Sequence, residues 1–220
     1  MVDNILLEGY ITAKNKTDNF KVEFALEERA RHVFNLIEKE KEFPTKSTLK
    51  ICKEFLIDVE KWKMMSIKCR IGNAALNCER DIYVAFRGVL LKTTDKEKLL
   101  SIMNLSGFGS SVDINFQRRA KAASAVMRFF YPESWGVVDW RLMAILSECK
   151  KYSWDAASIL ADSERAESKE LRSDFDIITE DMCIWLNQEY RSIVRQSQHF
   201  VRVADIDMAL FEYSWLLWPK

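Results

Sequence analysis

Arg118–Arg141, RRAKAASAVMRFFYPESWGVVDWR, sets Lys121 eighteen residues before Asp139, with one apolar helix and a proline turn between them. From Lys121 to Met127 the segment is small on one side and apolar on the other. It reads as helix as far as Tyr131, because Pro132 cannot donate a backbone hydrogen bond and disfavours α geometry in the residue before it. Val137 and Val138 then bring Asp139 directly after two β-branched residues. The same helical spacing of apolar residues recurs through the rest of the chain, interrupted by only three prolines and six glycines. An all-α fold is therefore expected.

The flanks divide into further helices. Leu49, Cys52, Leu56 and Val59 form one stripe, with Thr45 or Ser47 as its cap; Ile82, Phe86, Val89 and Leu90 form another. Leu99, Ile102 and Met103 form a third, with Thr94 as cap and Glu97 as its capping-box partner. After Asp139 a helix is expected from Leu142 to Cys149. A longer one is expected from Leu171 to Ile193, with Asp174, Asp176, Glu180 and Asp181 toward its start and Arg191 and Arg195 toward its end, as the helix dipole favours. A last helix is expected from Asp205, as cap, to Trp215, and Asp162–Glu170 is expected to be a solvated connection. Residues 1–44 read as an N-terminal helical extension and residues 45–220 as the helical core.

Composition narrows the class. At 220 residues and 48% hydrophobic content the chain can bury a core of its own. Thirty-three basic and 33 acidic residues cancel, so any attraction to nucleic acid must come from a local patch. The cysteines Cys52, Cys69, Cys78, Cys149 and Cys183 are odd in number and without a CxxC pair, which favours buried thiols over disulfides or zinc. His32 and His199 have no ligand-like spacing, so no metal is expected. Without a long apolar span or a signal layout, the expected location is cytoplasmic, nucleoid-associated or nuclear, with no membrane partner.

Lys121, the apolar helix, the proline turn and Val138-Asp139 resemble the helix-hairpin-helix DNA glycosylase superfamily, whose pattern is L-P-G-V-G-x-K, an apolar helix, a short loop and V-D-T-H-x-x-R. The lysine-to-aspartate spacing matches that of its bifunctional members. Leu105-Ser106-Gly107-Phe108-Gly109 stands for the hairpin, with serine in place of proline. The chain departs from the pattern twice. Eleven residues, Ser110 to Ala120, separate the hairpin from Lys121 where the family has one, and Trp140-Arg141 replaces Thr-His. Some members hold an iron–sulfur cluster on four clustered C-terminal cysteines. This chain has only Cys183 there, and no cofactor is expected.

The resemblance implies that Asp139 stabilises the positive charge that develops on the sugar as the base leaves. Asp139 also stands where a helix N-cap belongs, and one carboxylate can do both. The resemblance implies that Lys121 attacks the sugar as a Schiff-base amine, for which its pKa must be lowered by burial or by neighbouring cations such as Arg118 and Arg119. A helix-surface lysine is the alternative. Gly107 and Gly109 either bring backbone N–H groups to a DNA phosphate or form an ordinary helix C-cap and turn. Arg118, Arg119, Arg128 and Arg141 are the expected phosphate contacts, with a solvated helix edge as the alternative.

These features set the expectation of a DNA glycosylase that flips a damaged or modified base out of double-stranded DNA and cleaves its N-glycosidic bond, acting as a monomer. AP-lyase activity through Lys121 is conditional. A non-catalytic DNA-binding or interaction protein that keeps the helical core is the alternative, which the altered hairpin and the missing Thr-His both allow.

Overall fold

Thr45, of the two caps considered, opens the helix that carries Cys52, Leu56 and Val59: its hydroxyl accepts from the Thr48 amide at 3.2 Å, and those three side chains are fully buried. The computed structural model describes residues 2–64, 72–108, 120–163 and 178–218. Among them are ten α-helices and no strand. The helices are α1 (Val2–Asn15), α2 (Thr17–Glu40), α3 (Lys46–Met64), α4 (Glu79–Leu91), α5 (Asp95–Met103), α6 (Ala120–Phe130), α7 (Trp140–Lys151), α8 (Ala156–Ser163), α9 (Glu180–Gln196) and α10 (Val203–Leu217). No described helix is long and apolar enough to cross a membrane.

At the centre lies α6, in which every residue except Lys121 is buried. It has no polar face to present, and Ala122, Ala123, Ser124 and Ala125 are small enough to let α2, α3, α5 and α9 approach its backbone. Its far end is aromatic. Phe130 stacks on Phe34 at 4.1 Å and on Phe55 at 5.3 Å, and meets Phe86 edge-to-face at 4.9 Å. Such pairs add roughly 0.5–1.5 kcal/mol each beyond the area they bury.

Helices α1 and α2 contribute side chains to this core. Helix α1 lies along α10, α2 packs on α3, α4 and α6, and Ile5, Leu6, Leu26, Ala30, Val33 and Ile37 join the same buried cluster as Phe86 and Phe130. Helix α5 carries the expected capping box, the Thr94 hydroxyl accepting from the Glu97 amide at 3.2 Å.

Three expectations are corrected. Helix α9 begins at Glu180, because the Thr179 hydroxyl caps it by accepting from the Met182 amide at 3.2 Å. Leu171 and Phe175 lie outside the described residues. Asp205 does not cap α10, which starts two residues earlier. The Val203 and Ala204 amides donate to the Glu133 and Pro132 carbonyls at 3.4 and 2.9 Å, so the proline turn itself closes that helix end. Cys78 is exposed, its Sγ accepting from the Asp81 amide as the cap of α4, whereas Cys52, Cys149 and Cys183 are buried free thiols. Cys69 lies outside the described residues.

Candidate functional site

The segment between α6 and α7 is a turn followed by an extended strip that ends at Asp139. The Ser134 and Trp135 amides close the turn on the Tyr131 carbonyl at 3.0 and 2.8 Å. Arg191 of α9 donates to the Ser134 carbonyl at 2.9 Å and pairs with Asp95 at 2.5 Å, and the Trp135 indole N–H reaches the same Asp95 at 3.4 Å. Three consecutive amides follow, each satisfied by a buried side chain from a different helix. Gly136 N–H donates to Asn187 Oδ1 at 2.7 Å, Val137 N–H to the Asp207 carboxylate, and Val138 N–H to Ser124 Oγ at 2.9 Å. The Tyr190 hydroxyl donates back to the Val137 carbonyl at 3.3 Å. Only glycine fits at 136, where a Cβ would come within 2.8 Å of the Asp207 Cβ and the Tyr190 ring.

This clamp delivers Asp139 in an extended conformation, φ −154°, at the N-terminus of α7. One carboxylate oxygen caps the helix by accepting from the Arg141 amide at 2.8 Å. The other lies 3.8 Å from Lys63 Nζ at the C-terminal end of α3, and the two side chains are 22% and 15% exposed respectively. The carboxylate is therefore anchored through one oxygen and faces the Lys63 amine, with limited access to solvent, through the other. Burial lowers the Lys63 amine below its ordinary value, against the opposing pull of Asp139, Asp207 and Cys183. Cys183 is raised by burial, while the charges of Lys63 and Lys121 act in the other direction. Lys121, half-buried on the first turn of α6, thus borders the same cluster.

No protein-family model, curated protein or solved structure matches the chain.

Two expected DNA contacts are turned inward. Arg128 is 2% exposed and is the buried hub of an ion-pair cluster, with Glu23 at 2.7 Å, Glu27 at 3.4 Å and Asp207 at 3.6 Å. Arg141 is 7% exposed; its guanidinium donates to the Trp218 and Ser214 carbonyls at 3.0 and 3.3 Å and lies 3.5 Å from the centre of the Trp215 ring. Neither side chain is placed to meet a phosphate. Arg118, Arg119 and Gly109 lie outside the described residues. Gly107 has φ +81°, in the left-handed region, within a turn past the end of α5 that the Phe108 amide closes on the Leu105 carbonyl at 3.0 Å, and Asn77 holds the turn by accepting from the Ser106 amide at 2.7 Å and donating to its carbonyl at 3.0 Å. Trp185 is 37% exposed. A groove of about 320 Å³ between α2 and α3, lined by Leu26, Arg29, Asp58 and Trp62 among others, contains none of Asp139, Lys63 or Lys121.

Lys63, Asn187, Tyr190 and Asp207 have site positions that sequence reading did not assign. Their signal was present as polar residues on apolar helical stripes: Lys63 four residues after Val59, Asn187 between Cys183 and Tyr190, Asp207 between Val203 and Leu210. A polar side chain at such a position must find a buried partner.

Burial raises Asp207 from the ordinary 3.8 to about 7, against the lowering effects of Arg128, the Val137 amide and Lys63 and with a further raising effect from Glu23. The folded state therefore holds a proton that the unfolded chain releases near pH 4. The contribution to stability is complete below that pH and is lost as pH rises through about 7. The melting temperature of the wild type is expected to fall more steeply than that of Asp207→Asn between about pH 5 and 8. Parallel curves would show that Asp207 does not titrate in this window.

Proposed function

We propose that the protein is a DNA glycosylase that hydrolyses the N-glycosidic bond of a damaged or modified base extruded from duplex DNA. The observation that carries this reading is the placement of Asp139: a carboxylate fixed at a helix N-terminus by one oxygen, with the second left beside a largely buried amine. Departure of the base leaves positive charge on C1′ and O4′ of the sugar, and a carboxylate in a poorly hydrated site stabilises that charge far better than water does. The same carboxylate accepts the proton of the water that adds to C1′ as the C1′–N bond breaks. Ser124, Asn187 and Asp207 act by holding the strip that presents Asp139. The likeness of the Lys121-to-Asp139 segment to the superfamily pattern supports the same chemistry.

The test is a panel of duplexes carrying normal, oxidised, deaminated, alkylated and hypermodified bases, scored for strand breaks with and without alkali. Cleavage of at least one member that disappears in Asp139→Asn is expected. Base release undiminished in that variant would sink the assignment.

A second reading, a non-catalytic DNA-binding or interaction protein, draws on the capping bond from the Arg141 amide, which gives Asp139 a structural role without chemistry. It expects no base release from any duplex and no functional change in Asp139→Asn.

A further inference from the structure

We propose that Lys63 is the amine that forms an imine with the sugar C1′ at this site. The inference rests on the base-excision reading for its substrate, an abasic deoxyribose in duplex DNA. The resemblance implies this role for Lys121, on α6; the geometry points instead to a residue in the last turn of α3, seventy-six positions before Asp139 in the chain.

Three observations converge on Lys63. Its Nζ lies 3.8 Å from Asp139 Oδ2, so a sugar whose C1′ rests against that carboxylate is within reach of the amine as well. Its side chain is only 15% exposed, enclosed by residues of other helices, and is thus held in place where a surface lysine would sweep freely. Burial also shifts it toward the neutral form, and only a neutral amine carries the lone pair that attacks a carbonyl. The acidic neighbours Asp139 and Asp207 raise its proton affinity without overcoming the effect of burial.

The chemistry balances without a cofactor. The neutral amine adds to the C1′ aldehyde of the ring-opened abasic sugar to give a carbinolamine, which takes up a proton from solvent and loses water to form a protonated imine. A proton then leaves C2′ to Asp139, the C3′–O bond breaks, and the 3′ phosphate departs with its electron pair. Water hydrolyses the imine and returns the amine.

The experiment uses the full chain, a duplex with a preformed abasic site, and borohydride, which delivers hydride to C1′ of the iminium and fixes the adduct. Peptide mapping of the wild-type adduct is expected to place the sugar on Lys63, a result that needs no variant to fold. Lys63→Gln is expected to lower trapped yield by about tenfold or more, and Lys61→Gln, on the exposed side of the same turn, to leave it within about twofold. An adduct on Lys121, an undiminished yield in Lys63→Gln, or no adduct at all would overturn the proposal. Because the abasic site is supplied, the outcome is separable from base release. Asp139-dependent release without a Lys63 adduct overturns only this inference, whereas a Lys63 adduct with no base released from any duplex supports the imine while overturning the glycosylase reading.

Discussion

Replacing Arg128 by leucine is expected to lower the stability of the protein by about 3–5 kcal/mol. The guanidinium is the shared cation for Glu23, Glu27 and Asp207, which come from α2 and α10, and Arg202 assists only at Glu27, at 2.7 Å. Removing it strands carboxylates that are themselves almost wholly buried, and the resulting penalty is set by desolvation and not by the modest worth of a surface pair. Lysine should recover only part of the loss, since one ammonium cannot meet three carboxylates from the centre of a planar fork. Chemical denaturation monitored by helical circular dichroism gives the value. The deficit should shrink in mildly acidic buffer, where burial already favours protonation of Glu23 and Asp207. If Arg128 instead served DNA, the leucine variant would keep its denaturation midpoint and lose salt-sensitive DNA affinity.

The second large effect is on turnover. Asp139→Asn is expected to reduce base release by about 10³-fold or more, the scale on which a preorganised electrostatic group acts at a reacting centre. The substitution is informative because asparagine caps a helix as well as aspartate does, so the bond from the Arg141 amide can survive while the charge is lost. Fold and DNA binding should be retained, which a thermal melt and a binding titration at matched salt would establish. Asp139→Ala makes the complementary change, removing the cap as well and costing about 1 kcal/mol of stability. A protein in which Asp139 only caps α7 would tolerate asparagine and suffer from alanine; a glycosylase loses activity with both.

The helical class and most of the caps could be read from local pattern. The Thr94–Glu97 box, the Asp139 cap and the end of α6 before Pro132 all depend on residues a few positions apart. The errors fall where a contact spans the chain. Arg128 looks like a surface cation in its own segment, and only its meeting with Glu23 and Glu27, about a hundred residues away, makes it internal. Arg141 is drawn inward in the same way by the carbonyls at the end of α10. Asp205 failed as a cap because the turn at Pro132 and Glu133 already occupies that helix end. Of the two side chains that meet at the candidate site, Asp139 stands out in the sequence by its place after two β-branched residues, whereas nothing local distinguishes Lys63 from Lys61 except its register with the buried stripe of α3.

The burial of every residue of α6 after Lys121 has a consequence for how the molecule opens. A helix with one wet face can exchange its amide hydrogens through fraying or local lifting, but α6 has none past its first turn, and the side chain of its Ser124 is tied to Val138. Its amides from Ser124 onward are expected to exchange with deuterium only when the whole fold opens, in the slowest class of the molecule, with rates that report global stability. The helix that holds the strip leading to Asp139 would then be among the last regions to yield, so the movement that the proposed function requires to admit a nucleotide would have to come from elements other than α6.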